Sequence, residues 1–292
     1  MHKLPKAASK DTVLPRRSRF PIVASLFYPD DAAEVAARLH AYGLEMGKGG
    51  RAKAIIAPHG SWDISGMIAA GAFITAAGRT EGPDRVERVL MLGPIHGETE
   101  KGIFLSESDY FSTPLGNLAV DHLYSANLAA LSPFFVVDDI PHLKEHSLEV
   151  LLPLVKYCFP RALIIPILLG GLGPEYISIL ADTLGKVFGP LMNNTLCIVS
   201  CNLSVNPDPS LARIQAEEAL KLLLNKDPWQ FGTALSRKKV SSCGGALAAS
   251  LLESGLVKDL EATTCAAPSN GPMLSARGEE NTIVYYGAIS YQ

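Results

Sequence analysis

The chain has little cysteine, no long apolar run and no excess of positive charge. Its five cysteines are scattered among 292 residues and are too few for a disulfide framework, which favours a reducing compartment and predicts a cytoplasmic protein. No stretch reaches the ~20 apolar residues that a membrane helix requires, so we expect no membrane partner. The net charge of −3 leaves no basic surface for nucleic acid.

Several common catalytic motifs are also missing. The sequence contains no G-x-S-x-G nucleophile elbow, no G-x-x-x-x-G-K-[ST] phosphate loop and no G-x-G-x-x-G after a predicted strand. Serine hydrolases and nucleotide-binding enzymes are therefore disfavoured, and a functional site has to be sought in other residues.

Apolar periodicity predicts strands and helices that alternate along the chain, whose residues are 48% hydrophobic and 19% charged. Alternation of this kind predicts a single α/β domain with a mostly parallel or mixed central sheet and helices on both faces. The predicted strands cover 53–57, 87–92, 102–106, 134–137, 162–168, 195–200, 259–264 and 282–288. The predicted helices cover 31–42, 64–76, 122–131, 146–157, 174–188, 209–224, 227–235 and 243–253.

The ends and the long connections complete this organisation. The basic segment 1–18 lacks the apolar core of a secretory signal, so it is predicted to be a flexible arm that precedes a domain over 19–292. Segments 204–210 and 267–281 are predicted to be long loops, which often carry function.

Two predicted strands each lead into a proline and then a histidine. AKAIIAPHG puts His59 just past one strand, and RVLMLGPIHG does the same for His96. Ligands of open α/β sheets bind outside the carboxyl ends of the strands, so the two imidazoles could converge there on a metal ion. A histidine in such a position is also often only a hydrogen-bonded residue at the rim of the core.

A third metal ligand is offered by Cys243 in SSCGGALAASLLE. The start of the predicted helix would favour its thiolate, although a small residue packed at a helix start is the simpler reading. Two histidines and a thiolate would leave an open coordination position and suit a transition metal, with iron or copper favoured and zinc as an alternative.

A different metal motif lies in PHLKEHSLEV. His142 and His146 are spaced i and i+4, with Glu145 between them, in the order of the inverted zinc peptidase motif. On one helix the two imidazoles would share a face and Glu145 would act as base. The other interpretation is that His146, Glu145 and Glu149 form a cluster that borders a pocket or a solvated face.

Eight segments taken in order resemble the Memo family, whose bacterial members are called AmmeMemoRadiSam system protein B. They are FYPDD, APHGSWDISG, LGPIHG, STPLGNLAVD, EHSLEVLLPLV, IIPILLGG, SSCGG and the terminal YYGAIS. The resemblance spans 19–292 and implies a fold similar to that of the LigB-type class III extradiol dioxygenases. It also implies that His59, His96 and Cys243 hold the metal, the cysteine replacing the relatives' carboxylate.

The chain departs from the family pattern after the strand TLCIVS. The family reads S-S-D-F-x-H there, whereas this chain has Asn202 at the acid and Val205 at the histidine, which acts as general base in the dioxygenase relatives. Because valine cannot accept a proton, ring cleavage by the relatives' route is disfavoured and these two positions are expected to be inactive. Trp62 replaces a family tyrosine, and Cys201 is a further candidate for the pocket lining.

Three functions follow as hypotheses. The first is a Memo-family metal-binding protein with His59, His96 and Cys243 as ligands and His146 in the pocket as candidate catalytic residue, whose activity would be redox or oxygen-dependent. The second is a non-catalytic module that binds a peptide or small molecule in that pocket, which Val205 favours. The third is a zinc peptidase. The resemblance also implies a radical-SAM protein and an AMMECR-domain protein as partners.

Overall fold

A computed structural model describes residues 17–97, 100–171, 173–272 and 282–292. The strands are β1 (Ser18–Arg19), β2 (Ala54–Ala57), β3 (Arg88–Pro94), β4 (Gly102–Leu105), β5 (Tyr110–Thr113), β6 (Gly116–Ala119), β7 (Phe135–Val137), β8 (Leu163–Gly170), β9 (Thr195–Ser200), β10 (Ser204–Asn206), β11 (Ala262–Pro272) and β12 (Ile283–Tyr291).

The α-helices alternate with these strands over much of the chain. They are α1 (Ala32–Ala41), α2 (Met67–Ile74), α3 (His122–Leu131), α4 (Ile140–Lys144), α5 (Leu152–Cys158), α6 (Pro174–Phe188), α7 (Pro209–Asn225), α8 (Pro228–Ser236) and α9 (Gly245–Glu253). A π-helical turn over Trp62–Gly66 leads into α2, and 3₁₀ turns cover Glu149–Leu151 and Gly189–Leu191. Within the described ranges, none of these helices is both long enough and apolar enough to cross a membrane.

Capping side chains determine where several helices begin. Asp31, Asp208 and Asp227 each accept hydrogen bonds from backbone N–H groups in the first turn of the helix that follows. In α7 and α8 a proline comes directly after the cap, where its missing N–H costs no intrahelical bond.

The main sheet has the order β10-β12-β2-β9-β3-β8-β4-β7, and β11 pairs with β12. Its centre, β2-β9-β3-β8, is parallel, whereas β12 pairs antiparallel with β2 and β4 pairs antiparallel with β8. A small separate sheet joins β1, β5 and β6. This mixed sheet with helices on both faces confirms the predicted fold class and is consistent with a LigB-like architecture.

Both faces of the central strands are covered, which explains why these strands are uninterrupted apolar runs. In β3, Val89 and Met91 pack into the core beneath α1, α2 and α5, whereas Leu90 and Leu92 pack into the core beneath α3 and α6 to α9. Successive side chains of a strand point to opposite faces, so one apolar run supplies both cores.

Several local predictions need correction. The short elements β1, β5, β6, β10 and α4 were not predicted, because two to five residues carry too little periodicity to be recognised. Part of the predicted loop 204–210 is β10, and the predicted loop 267–281 is strand β11 up to Pro272. The rest of that loop, 273–281, and most of the predicted arm, 1–16, lie outside the described residues. Ser18, the last residue of the predicted arm, belongs to β1.

Candidate metal centre

His59 follows β2 by two residues and is buried, with 2% of its surface exposed. Its Nδ1 lies 2.8 Å from the Oγ of Ser200, the last residue of the neighbouring strand β9. The Ser200 hydroxyl donates its single proton to the carbonyl oxygen of Ser147 at 2.7 Å, so it accepts from Nδ1. The proton of the His59 ring is therefore on Nδ1, and Nε2 carries a free lone pair.

His96 follows β3 in the same way, and β9 separates β3 from β2 in the sheet. The Glu145 carboxylate lies 3.0 Å from His96 Nδ1 and also accepts the backbone N–H of His96 at 2.7 Å. Because an ionised carboxylate only accepts hydrogen bonds, Nδ1 is the protonated nitrogen next to it. A carboxylate behind an imidazole is a common way of orienting a metal-binding histidine.

Cys243 lies in the turn that precedes α9, two residues before the helix begins. The next residue, Gly244, has a φ of +92°, and a Cβ at this position would meet the Ser200 carbonyl oxygen at 2.3 Å. Only glycine fits this close approach. The Cys243 carbonyl accepts the backbone N–H of Asn202 at 2.9 Å, so the turn is held against the end of β9.

These three elements bring His59, His96 and Cys243 together, with one nitrogen or sulfur atom of each lying within 4.8 Å of the others. The Nε2 of His59 is buried without a hydrogen-bond partner within the described part of the chain. A buried imidazole nitrogen is rarely left unpaired, and its lone pair suits a metal ion. Two imidazoles and a thiolate fit zinc, copper or iron better than magnesium or calcium.

His146 is the third imidazole at this site. Its ring stacks on that of His96 with centroids 4.8 Å apart and lies 6.0 Å from that of His59, while Phe27 contacts its ring at 5.0 Å. Its Nδ1 lies 3.2 Å from Glu145 Oε1. His146 therefore borders the candidate ligands His59 and His96.

His96, Glu145 and His146 also lie close enough to be considered as a second metal site. The Glu145 carboxylate, however, already accepts the backbone N–H groups of His96, His146 and Ser147 as well as His96 Nδ1. Oε1 accepts three of these bonds and Oε2 one, so Oε1, which lies next to both imidazoles, has no lone pair left for a metal ion. We therefore describe this group as a hydrogen-bonded cluster that supports His96.

Burial and neighbouring charge set the protonation of these groups. Burial, with the charges of His96 and His146, lowers the pKa of His59 well below its ordinary value, so His59 is neutral. Burial opposes charge on His96, but hydrogen bonds to Cys243 and Glu145 outweigh it and raise the pKa of His96 to about 10. Burial alone would raise the pKa of Glu145, yet the His96 contact lowers it to about 2. Burial lowers the pKa of His146.

The zinc peptidase hypothesis fails on geometry. The helix α4 ends at Lys144, and Glu145 is extended with φ −104° and ψ 137°, so His142 and His146 do not share a helix face. His142 is buried away from the three candidate ligands, where its Nε2 lies 3.2 Å from the Phe104 carbonyl oxygen. The predicted helix 146–157 was equally wrong at its start, because helical structure begins only at Glu149.

The two residues predicted to line the pocket lie in the core instead. Trp62 is 2% exposed, donates from Nε1 to the Val150 carbonyl at 2.9 Å and packs against the ring of Tyr28. Cys201 is fully buried, and its Sγ lies 3.1 Å from Ser242 Oγ. Burial raises the pKa of the Cys201 thiol to about 12, which makes it a poor source of a second thiolate.

The two positions that depart from the family pattern make different contacts. The Oδ1 of Asn202 accepts the backbone N–H of His59 at 3.1 Å, an interaction that an aspartate oxygen could also make. Val205 lies in β10, where its N–H donates to the Ser241 carbonyl, and its half-buried side chain packs on the core. Asn202 therefore keeps a positioning contact, whereas Val205 provides no proton acceptor.

Sequence reasoning missed the residues that orient the two histidines. Ser200 ends a strand that was predicted correctly, but nothing in the sequence indicates which strand lies between β2 and β3. Glu145 was considered as a catalytic base rather than as the partner of His96, 49 residues away. A polar residue at the end of an otherwise apolar strand was the signal available for Ser200.

Comparison with known proteins agrees with this architecture. A MEMO1 family protein of Nitrosopumilus maritimus is 24% identical over 282 residues, covering 94% of this chain and 99% of the relative. One from Methanosarcina barkeri is 28% identical over 275 residues, covering 93% and 98%. Among solved structures, uncharacterized protein JW3007 from Escherichia coli K12 is similar in fold, with TM-score 0.53 and 13% identity over 82% of this chain and 99% of that one. The family described as Memo-like protein matches residues 19–286, so the chain belongs to the Memo-like family.

Proposed function

We propose that the protein binds a transition metal ion through His59, His96 and Cys243, and that it acts as a metal-dependent oxidoreductase. The observation that carries the proposal is the unpaired, buried Nε2 of His59, which lies within 4.8 Å of the donor atoms of His96 and Cys243. Metal binding would give this nitrogen the partner that it lacks. Two imidazoles and a thiolate suit iron, copper or zinc, and iron or copper is favoured here because zinc does not change its oxidation state and an oxidoreductase needs a metal that does.

The chain's own residues prepare the site in defined ways. Ser200 and Glu145 accept hydrogen bonds from Nδ1 of the two rings, so Nε2 is the nitrogen of each ring that would bind the metal. The Nε2 of His59 has no partner among the described residues, whereas at His96 the metal would displace the proton shared with Cys243. A transition metal held there would supply redox or Lewis-acid chemistry to a molecule bound beside it. His146 lies next to the ligands, where it can contact that molecule by a hydrogen bond. We retain it as the candidate catalytic residue.

A second candidate is a binding module without turnover. Val205 favours this alternative, because an apolar side chain stands where the family pattern has a histidine that could take a proton. In this alternative the same site binds a small molecule or peptide. Metal content and turnover are measured separately, so the two functions can be distinguished.

Elemental analysis of protein purified anaerobically with reductant tests the metal proposal. We expect close to one metal ion per chain, lost in Cys243→Ser and in the double variant His59→Ala/His96→Ala. The matched controls are Cys265→Ser, a thiol outside the donor group, and His122→Ala, an exposed imidazole, and both should keep the metal. Background metal in the unmodified protein would refute the proposal and leave the binding module.

Location and partners extend the proposal. We propose a cytoplasmic protein, because all five cysteines are free thiols and Cys243 must stay reduced to bind a metal ion. Family membership also leads us to propose a radical-SAM protein and an AMMECR-domain protein as partners. Co-purification with each candidate partner, with and without the metal, would test this.

A further inference from the structure

A cavity of about 370 Å³ opens beside the candidate metal centre. It lies between the loop after β3, the end of β8 and the start of α9. Its volume falls in the range of small-molecule sites, which are commonly a few hundred Å³. The described residues that line it are Pro94, Ile95, His96, Gly97, Leu169, Gly171, Ser242, Cys243, Gly244, Ala246 and Leu247.

One end of this cavity is polar and the remaining wall is apolar. His96 and Cys243, two of the three candidate ligands, form the polar end. Ile95, Leu169 and Leu247 are the large aliphatic side chains of the remaining wall. A molecule in the cavity would therefore have an apolar body and present a donor atom toward the metal centre.

Away from the polar end, where the charge of His96 is already paired with Glu145, the described wall offers no cation to pair with an anionic ligand. None of the described lining residues is lysine or arginine. The Ser242 hydroxyl already donates to the Asn202 carbonyl oxygen, so it has no further proton to give. A carboxylate or phosphate placed against the apolar wall would lose its hydration without gaining a charged partner, which is unfavourable.

We propose that this cavity binds a neutral, mostly apolar small molecule, which reaches the metal centre through one oxygen, nitrogen or sulfur atom. The apolar body lies against Ile95, Leu169 and Leu247, and the donor atom faces His96 and Cys243. The proposal names the substrate class of the function proposed above and rests on it for the donor end. The preference for a neutral body rests on the cavity wall alone.

The test uses two probes that differ by one charge. Phenylimidazole, kept neutral by a mildly alkaline buffer, is compared with the same molecule carrying a para-carboxylate. Calorimetry is performed on metal-loaded protein and again on metal-free protein. We expect the neutral probe to bind at least about 10-fold more tightly, because the carboxylate has no partner in the wall. Equal or tighter binding of the carboxylate would overturn the proposal.

A variant that partly fills the cavity tests whether phenylimidazole binds there. Ala246 lines the cavity from the first turn of α9, and Ala246→Leu places extra volume there while keeping a strong helix former. We expect about a 10-fold loss of affinity for phenylimidazole with unchanged metal content. Ala246→Val is the milder substitute if Ala246→Leu does not fold. Glu253→Ala, at the exposed end of the same helix, is the control and should bind as the unmodified protein does.

The two proposals fail in different ways. Failure of the metal proposal would appear as absent metal, while the metal-free protein still prefers the neutral probe and loses it in Ala246→Leu. Failure of the cavity proposal would appear as normal metal content with no preference for the neutral probe, or with full affinity retained in Ala246→Leu.

Discussion

Ser200 offers the sharpest test of how the site is built, since its hydroxyl determines which nitrogen of His59 is free. It accepts from His59 Nδ1 at 2.8 Å and donates to the Ser147 carbonyl oxygen at 2.7 Å. Ser200→Ala removes both contacts and leaves the buried Nδ1–H of His59 without an acceptor. The ring can then turn or move its proton to Nε2, and either change takes the lone pair away from the metal.

The size of the effect follows from these contacts. Loss of a residue that orients a metal ligand typically lowers metal affinity by about 10- to 100-fold, which corresponds to roughly 1.4–2.7 kcal/mol. An unpaired buried hydrogen-bonding group also costs about 1–3 kcal/mol of folding free energy. We therefore expect Ser200→Ala to lose both metal affinity and stability of the metal-free protein.

Ser204→Ala is the matched control. Ser204 is fully buried like Ser200, but its hydroxyl donates to the Ala212 carbonyl oxygen at 2.6 Å, away from the three candidate ligands. Metal affinity is measured by competition with a chelator, and the stability of the metal-free proteins by denaturant unfolding. Both variants should be destabilised, and only Ser200→Ala should bind metal more weakly. Unchanged metal affinity in Ser200→Ala, or an equal loss in Ser204→Ala, would refute the reasoning.

Three further predictions address the support of His96 and the stability of the fold. Glu145→Gln replaces a carboxylate that accepts hydrogen bonds from four N–H groups with an amide that has one acceptor oxygen. Metal affinity, measured by chelator competition, should fall about 10- to 100-fold. Unchanged affinity would contradict the role of Glu145 in orienting His96. Metal uptake must displace the proton of His96, whose pKa is raised to about 10. Apparent metal affinity should therefore increase with pH from neutrality up to about pH 10, and calorimetry in two buffers should detect the released proton. A metal affinity that does not change with pH would contradict the role of His96 as a ligand. Arg79 donates to five backbone carbonyls in the core. Arg79→Met should therefore lower the free energy of unfolding by about 3 kcal/mol, measured by urea titration, without loss of metal. The control Arg85→Met, at an exposed position, should change the free energy of unfolding by less than about 0.5 kcal/mol.

The strands and helix starts that could be predicted are those that follow from local sequence patterns. The apolar runs that form β2, β3, β8 and β9 could be recognised because strands buried on both faces need no polar residues. The caps Asp31, Asp208 and Asp227 likewise mark helix starts within one or two residues. Short edge elements such as β10 could not be recognised, because their stability comes from the strand beside them.

His59, His96 and Cys243 could be selected from the sequence, because each lies next to a clearly predicted strand or helix and the family resemblance implies the same three residues. The spacing of His142 and His146 was misleading, because a helix was assumed where the backbone is extended at Glu145. A pattern of i and i+4 has a meaning only on a continuous helix.

The sequence by itself therefore determined the alternating α/β organisation, the family and the identity of the three candidate ligands. Each of these could be recognised from short segments of neighbouring residues. Only the tertiary structure decided that β9 lies between β2 and β3, that Ser200 and Glu145 hold the two ring protons, and that Trp62 and Cys201 belong to the core. The physical reason is that these contacts join residues far apart in the chain: Ser200 lies 141 positions from His59, and Glu145 lies 49 positions from His96. Their energy comes from packing and burial that no local pattern specifies.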